Sequence, residues 1–201
     1  MDNDIEIKII EEITRKKAYS HSFEEIVKEF DRKFSNLNLA KDSFKIEKYF
    51  NGGAGIATAR NNLLSDGLIQ NEWLREYKTP NGKSKTDFKG IYIFINNDRP
   101  FYIGISKGVI GRIHQHVKGH SHNNSTLAYN ISLIRHKIIN GYEYKGSRDG
   151  LDFKTEVEPV KEFLSKQKVF WAHIENDEEL YLFEIYCAMR LQTVLNKFET
   201  H

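Results

Sequence analysis

A single carboxylate lies in the most apolar segment of the chain. Between Leu180 and Leu195 the only charged residues are Glu184 and Arg190. A helix that is apolar on nearly all sides is expected to be buried on most sides, so Glu184 is predicted to lie away from bulk water. A lone buried carboxylate is unfavourable by several kcal/mol unless a cation meets it. A metal ion could supply that cation, and so could a salt bridge to Arg190 or Arg112.

An arginine and a histidine lie four residues apart. Arg112 and His116 fall within a segment whose apolar residues have helical spacing, so the two side chains share one helix face. A guanidinium offers planar, bidentate donors to a phosphate, and an imidazole beside it can position or exchange a proton. The pair suits phosphoryl chemistry, although an exposed polar helix face would show the same spacing.

Two tyrosines precede this pair. Tyr92 is ten positions before Tyr102, and Tyr102 is ten positions before Arg112. Each tyrosine lies in an apolar run rich in β-formers, and the tight Asn96–Pro100 segment between the runs predicts an antiparallel hairpin. Tyrosines in strands usually pack half-buried, which would be their default role if they stood alone.

Both tyrosines belong to tripeptides that carry a family resemblance. Gly90-Ile91-Tyr92 and Tyr102-Ile103-Gly104 are the two signatures of the GIY-YIG nuclease superfamily, at the correct spacing. The chain resembles the family again in the helix after the second strand, where Arg112 stands at the position of the family's arginine. His116 follows one turn later.

The resemblance continues into the last helix and covers about residues 90–196. Glu184 matches the metal-binding glutamate, and Asn196, twelve residues on, matches the family's asparagine. The interval before Glu184 is longer than in minimal members of the family. It contains His120 and His122, which do not align with a family histidine and are interpreted as ordinary turn residues.

The resemblance implies hydrolysis of phosphodiester bonds in nucleic acid with one divalent cation, Mg²⁺ or Mn²⁺, in each active site. Glu184 would hold the ion, which keeps several waters bound, as Mg²⁺ prefers. The metal would neutralise charge on the scissile phosphate and stabilise the departing 3′ oxygen. Arg112 would donate to a non-bridging oxygen as negative charge builds in the transition state.

The resemblance also assigns roles to the remaining polar residues. Tyr92 would activate or orient the attacking water, although a free tyrosine with a pKa of about 10 is a poor base at neutral pH. His116 and Tyr102 would assist it by hydrogen bonding. Asn196 would orient neighbouring groups rather than react. Tyr102 and a metal-bound hydroxide are the alternatives to Tyr92.

The elements that must position these residues predict an α+β fold, a small three-stranded antiparallel sheet flanked by helices, and the resemblance agrees. The predicted strands are Ile91–Ile95, Phe101–Ile105 and Val169–Ile174. The predicted helices around them are Val109–Lys118, Thr126–Ile139 and Glu178–Leu195. Residues 140–159 are rich in glycine and acids and are predicted to form a loop.

Residues 1–88 are predicted to be mainly helical and to end in a β-hairpin. Helical spacing occurs over Ile5–Lys17, Phe23–Phe34, Phe44–Phe50 and Ile56–Leu64, and Ser22 with Glu25 has capping-box spacing. The hairpin strands, Trp73–Tyr77 and Ser84–Phe88, flank the turn-forming segment Thr79–Lys83.

Helices followed by a basic hairpin resemble a winged-helix DNA-binding module, with Lys78, Lys83 and Lys85 as phosphate contacts. A plain helical cap packed on the catalytic domain is the alternative. The predicted domain boundary lies near Phe88, which separates an N-terminal region (1–88) from a nuclease domain (89–201).

Charge is unevenly distributed along the chain. The net charge is only +2, yet residues 99–148 contain eight basic residues and one acid. Such a segment is the footprint expected of a phosphate-rich partner, and Lys107, Lys118 and Arg135 are predicted as further nucleic-acid contacts. A solvated basic face is the alternative interpretation.

Composition excludes several protein classes. The chain has 201 residues, 39% hydrophobic and 29% charged, which is not typical of a disordered, collagen-like or membrane protein. No apolar run approaches the roughly 18 residues that span a bilayer. The lone Cys187 cannot form an internal disulfide, and no cysteine cluster is present for a structural zinc. A soluble, intracellular (cytoplasmic) protein is predicted.

Among the branches of the superfamily, a short chain with about 89 residues before the catalytic strands most resembles a type II restriction endonuclease. Cutting both strands of duplex DNA calls for two active sites, so a homodimer on DNA is expected, with a cognate methyltransferase in the cell. A structure-specific or general DNA nuclease of repair or mobile elements is the alternative. A non-catalytic DNA-binding protein is a third.

Overall fold

The computed structural model describes residues 3–14, 22–50, 53, 55–78, 82–196 and 198. The chain divides into two compact units, residues 1–37 and 38–201. The first contains helices α1 (Asn3–Thr14) and α2 (Phe23–Ser35). The predicted capping box of α2 is confirmed, because Ser22 N–H donates to Glu25 Oε2 and Glu25 N–H donates to Ser22 Oγ. Residues 15–17 of the first predicted helix lie outside the described residues.

The second unit contains the remaining helices and all six strands that the described residues form. In chain order these are α3 (Leu39–Asp42), β1 (Phe44–Lys45), α4 (Glu47–Phe50), α5 (Ile56–Ser65), β2 (Arg75–Lys78), β3 (Ser84–Asp87), β4 (Gly90–Asn96), β5 (Arg99–Ser106), α6 (Val109–Lys118), α7 (Thr126–Asn140), α8 (Glu158–Ser165), β6 (Lys168–His173) and α9 (Asp177–Leu191). Short 3-10 turns lie at Asn71–Trp73, His122–Asn124 and Arg148–Gly150, and a π-helical turn lies at Phe153–Val157.

The main sheet is antiparallel with strand order β1-β6-β4-β5. Its three long strands are the three that the sequence predicts. The two-residue strand β1 adds a fourth, with Phe44 opposite Val169. The predicted helix over Phe44–Phe50 is therefore wrong in its first half, because Phe44 and Lys45 pair with β6 before the chain turns into α4.

The two faces of the sheet bury different residues, since successive side chains of a strand point to opposite sides. Tyr92, Phe94 and Trp171 face a core shared with helices α4 to α8. Ile91, Ile93, Ile103 and Phe170 face the other way, where α9 contributes further buried residues: Leu180, Phe183 and Cys187.

Two predicted segments differ from the structure. Residues 140–159 are not all loop, because they include the π-helical turn and the start of α8, which tolerates Pro159 in its first turn. Helix α9 ends at Leu191, where Gln192 adopts the left-handed conformation, and not at Leu195. Its outer face is open to water: Tyr181 is 60% exposed and Met189 is 67% exposed, so the expectation of burial on most sides is wrong.

The predicted hairpin is formed by β2 and β3, with Tyr77 opposite Lys85. Residues 79–81 of its tip lie outside the described residues. The hairpin belongs to the same compact unit as the main sheet, and the structural division of the chain comes after Leu37. The division at residues 88 and 89 concerns function and stays a prediction. No helix among the described residues is long and apolar enough to cross a membrane.

Candidate active site

Two tyrosines meet on the face of the sheet that α6 covers. Tyr92 of β4 lies opposite Gly104 of β5, so Tyr102 falls two residues away on the same face. The ring centroids of the two tyrosines are 6.2 Å apart. Tyr92 is 1% exposed, and its ring lies against the backbone of Gly104. Burial therefore removes the Tyr92 ring from solvent.

The glycines of the two tripeptides make this packing possible. A Cβ on Gly104 would overlap the hydroxyl of Tyr92, so the glycine of the second tripeptide leaves room for the tyrosine of the first. A Cβ on Gly90 would overlap the carbonyl oxygen of Ala172 on β6. Both positions need glycine for close approach, one to the side chain of Tyr92 and one to a neighbouring strand.

His116 is fully buried and contacts another side chain with each ring nitrogen. Its Nε2 lies 2.9 Å from the Tyr92 hydroxyl, and its Nδ1 lies 2.6 Å from Ser125 Oγ. Ser125 Oγ also accepts from the N–H of Ala128 (2.9 Å), which caps α7. Three side chains from β4, α6 and the start of α7 are thus joined by hydrogen bonds.

The protonation state of His116 gives this chain of hydrogen bonds a direction. Burial lowers the pKa of His116 well below its usual value, and the charges of Arg112 and Lys161 lower it further. The imidazole is therefore neutral at pH 7. A neutral imidazole donates from one nitrogen and accepts at the other, so a proton on Nδ1 leaves Nε2 free to accept from Tyr92.

Arg112 lies beside both tyrosine hydroxyls. Burial raises the pKa of Tyr92 well above its usual value and also raises that of Tyr102, whereas the charge of Arg112 lowers both. Its Nη1 donates to Gln115 Oε1 (3.1 Å), which restrains the guanidinium on the surface of α6. The group is only partly buried, so an approaching phosphate could reach it.

Glu184 is a half-buried carboxylate on α9. Burial raises its pKa to about 7. Among the described residues no hydrogen bond or ion pair joins it to another side chain, so the salt bridge to Arg190 or Arg112 is not formed there. The carboxylate lies close enough to raise the pKa of Tyr102, which places it at the same site.

This environment fits a metal ligand. A carboxylate with a raised pKa and no ion pair to any described residue gains from a bound divalent ion. Within the described part of the chain, no group of three or more histidine, cysteine, aspartate or glutamate side chains could hold a metal. One carboxylate suits Mg²⁺, which commonly binds through one or two carboxylates and otherwise keeps its waters.

Asn196 lies after α9, and its side chain bonds to the backbone of β5. Its Oδ1 accepts from Ile103 N–H (2.9 Å), and its Nδ2 donates to the carbonyl of Ile103 (2.8 Å). The side-chain amide thus pairs with β5 at the edge of the sheet, as a further strand would. Leu195 N–H donates to the carbonyl of Phe101 in the same way (3.3 Å). These contacts anchor the part of β5 that carries Tyr102.

The comparison with protein families agrees with this arrangement. Residues 88–196, rather more than half of the chain, match the GIY-YIG catalytic domain. This chain belongs to the GIY-YIG family. Membership implies a nuclease, which hydrolyses phosphodiester bonds in DNA, and such nucleases typically use a divalent metal. No curated protein and no solved structure matches the chain at a significant level.

The lysines that the sequence predicts as DNA contacts of the hairpin are not equivalent in this GIY-YIG protein. Lys78 and Lys83 are exposed on either side of the tip. Lys85 is half-buried, and its charge contributes to the lowered pKa of His114 on α6. Their contacts with DNA stay predictions.

The other three predicted contacts lie around α6 and α7. Lys107 is exposed just before α6. Lys118 lines a surface cavity of about 470 Å³ at the other end of that helix. Arg135 is already engaged, because its Nη1 donates to Glu156 Oε2 (2.8 Å) and to the carbonyl of Thr155 (3.0 Å). Arg135 is thus less available to a phosphate than either lysine.

His120 and His122 lie in the segment that follows α6, away from the two tyrosines. His122 Nε2 is 2.5 Å from the carbonyl of Leu151, and its ring packs against Phe153. His120 is exposed. These contacts agree with the interpretation of both as turn residues.

Ser125 is a residue of this cluster that no sequence motif identifies. Its only local signal is the serine before an apolar helical run, which indicates an N-cap. Nothing in the spacing of nine residues between His116 and Ser125 predicts that the same hydroxyl also contacts the imidazole.

Proposed function

We propose that this GIY-YIG protein is a metal-dependent DNA endonuclease, and specifically a type II restriction endonuclease. The observation that carries the proposal is the buried hydrogen-bond chain Tyr92–His116–Ser125, with Arg112 beside it. Glu184 completes the set as a carboxylate that no described residue pairs. Burying polar groups is unfavourable for folding, so a cluster of this kind is expected where it has a function. This argues against a protein that only binds DNA.

The hydrogen-bond chain answers the question of how a tyrosine with a raised pKa can act at neutral pH. With Nδ1–H donated to Ser125, the Nε2 of His116 accepts the proton of Tyr92. As Tyr92 gives up this proton, its oxygen takes one from the attacking water. The water becomes the nucleophile, Tyr92 ends neutral, and His116 ends protonated. Burial and the charges of Arg112 and Lys161 lower the pKa of His116 in the free protein, so this transfer requires the negative charge of the bound phosphate to offset those of the two cations. Tyr92 need not be ionised in the resting enzyme.

Arg112 and Glu184 act on the phosphate. The guanidinium donates to a non-bridging oxygen and stabilises the negative charge that builds as water attacks. Glu184 would hold the divalent ion, which supplies charge neutralisation at the phosphate and at the departing 3′ oxygen. Asn196 acts indirectly, because it holds the β5 edge that carries Tyr102.

The proposal of a restriction subtype rests on lysines that lie outside the tyrosine pair. The β2–β3 hairpin presents Lys78 and Lys83 to solvent, and Lys107 and Lys118 lie at opposite ends of α6. These lysines would contact the phosphates of double-stranded DNA. Cutting both strands calls for two active sites, so we expect two copies to act together on DNA, and a methyltransferase to protect the host sites.

The test is a cleavage assay on long, unmethylated duplex DNA with Mg²⁺, compared with EDTA and with Glu184→Ala. Every end produced is sequenced. We expect discrete fragments that share a short motif and that disappear in EDTA and in the variant. Glu178→Ala, an exposed glutamate on the same helix, is the matched control and should cut normally.

The other outcomes separate the alternatives. A smear without a common motif, or cutting only of branched or nicked DNA, would reject the restriction subtype and favour a structure-specific or general nuclease. DNA binding without metal-dependent cleavage of any substrate would reject the enzyme altogether.

A further inference from the structure

Helix α6 carries Arg112 and His116. Its N-cap residue, Gly108, has no side chain that could accept hydrogen bonds from the backbone amides of the first turn. Asp87, at the end of β3, accepts them instead. Its Oδ1 accepts from Ile110 N–H (3.0 Å), and its Oδ2 accepts from Gly111 N–H (2.8 Å). The residue after Gly111 is the catalytic arginine.

The contact between Asp87 and α6 is close and sheltered from water. Asp87 is 1% exposed, and its Oδ1 also accepts from the N–H of Phe88 (2.8 Å). A Cβ on Gly111 would come within 3.4 Å of Asp87 Oδ2, and one on Gly108 would overlap the hydroxyl of Tyr77. Small residues at both positions let the carboxylate and the hairpin approach the start of the helix.

The other end of α6 is held by a buried cation. Lys161 of α8 is 4% exposed, and its Nζ donates to the carbonyls of Gln115 (2.9 Å) and His116 (3.3 Å). These carbonyls belong to the last turns of the helix, where the dipole is negative. A carboxylate therefore lies at the positive end of the helix and an ammonium near its negative end, and neither belongs to α6.

We propose that Asp87 and Lys161 are positioning residues that hold α6 in register with the tyrosines of the sheet. The proposal rests on the proposed nuclease function. Asp87 binds the amides just before Arg112, and Lys161 binds the carbonyl of His116 itself. Together they fix how far the helix slides along its axis, and thus where the guanidinium and the imidazole lie relative to Tyr92.

The test compares Asp87→Asn and Lys161→Met, which keep the approximate size of each side chain, with the wild type. We expect kcat to fall by about 10- to 100-fold for each, with KM for DNA within about twofold, because misplaced catalytic groups slow chemistry more than binding. Asp152→Asn is the matched control, because Asp152 caps the π-helical turn through Thr155 and does not contact α6. Its kcat should not change.

A second measurement does not depend on activity. Amide hydrogen exchange should speed up over residues 110–112 in Asp87→Asn and over the last turns of α6 in Lys161→Met, while the amides of β4 keep their protection. Wild-type kcat in either folded variant, or unchanged exchange in α6, would overturn the proposal. A wild-type protein that cuts no DNA while α6 exchange responds as expected would reject the nuclease and leave the positioning role standing.

Discussion

The two sides of the candidate active site differ in how their polar groups are satisfied. On the α6 side, the buried groups have partners: His116 contacts Tyr92 and Ser125, and Asp87 accepts three backbone amides. On the α9 side, Glu184 is the one carboxylate of an apolar segment, and the described residues leave it unpaired. The first side is organised before substrate arrives, whereas on the second side the proposed metal ion would come from solution.

The largest expected effect comes from the side that lacks a partner. Glu184→Gln removes the charge but keeps the shape, and cleavage with Mg²⁺ should fall by about a thousandfold or more. Single-turnover cleavage rates of the wild type and the variant over a range of Mg²⁺ concentrations measure this fall. The matched control is Glu178→Gln. Recovery of wild-type rate at high Mg²⁺ would show that the carboxylate only increases metal affinity.

On the organised side, Arg112→Lys should lower kcat by about 100-fold or more. Lysine keeps the charge but loses the planar pair of donors that matches a phosphate. The rate of the chemical step measures the loss, and Arg32→Lys, in an exposed ion pair of the first unit, is the control. A rate equal to wild type would show that any positive charge suffices.

The two tyrosines should respond unequally. Tyr92→Phe breaks the contact with His116 and should lower kcat by about 10²- to 10⁴-fold, within the range for general acid–base catalysis. Tyr102→Phe leaves that contact intact and should lower kcat less. The ratio of the two rates at one pH decides the role. If Tyr92→Phe cut at nearly the normal rate, the role would pass to Tyr102 or to a metal-bound hydroxide.

Ser125→Ala should have a smaller effect on kcat, about tenfold, because the lost hydroxyl orients His116 and does not itself react. The change also removes the cap of α7, so a loss of stability is expected as well. Ser132→Ala, a buried serine of the same helix with only a local bond to Ala128, separates stability from catalysis. Ser125→Thr should restore most of the rate, and its failure to do so would argue against the orienting role.

The smallest expected effect is on stability. Here Glu184→Gln is expected to be beneficial, whereas its effect on cleavage is a loss. Burial raises the pKa of Glu184 to about 7 from 4.5, so the folded state binds a proton that the unfolded state releases in this window. The free energy of unfolding therefore falls as the pH rises from 4.5 to 7. Without metal, Glu184→Gln should raise it by about 1 kcal/mol at pH 8, since the carboxylate is partly solvated.

Urea denaturation in EDTA at pH 8 and at pH 4 measures this difference. At pH 4 the wild-type carboxyl is protonated in the folded state and mostly protonated in the unfolded state, so the gain should nearly vanish. An equal gain at both pH values would show that packing, and not charge, is the cause.

Sequence predicted the parts of this molecule that local pattern determines. The two apolar runs and the tight segment between them predicted β4 and β5, which carry Tyr92 and Tyr102. Strand β1 escaped prediction because two residues have no periodicity, and only pairing with β6 defines them. Asp87, Lys161 and Ser125 escaped for another reason. Their partners on α6 lie between 9 and 46 positions away, and the bonds exist only once the sheet and α6 are packed.

The chain's one cysteine has a practical consequence for experiments on the hairpin. Cys187 is fully buried against the sheet, and burial raises the pKa of its thiol to about 12. Thiol reagents attack the thiolate, so they should leave the native cysteine alone. A dye attached to Ser84→Cys, at the exposed start of β3, would therefore be the only label on the protein. Its fluorescence can report the approach of DNA to the hairpin without a cysteine-free background.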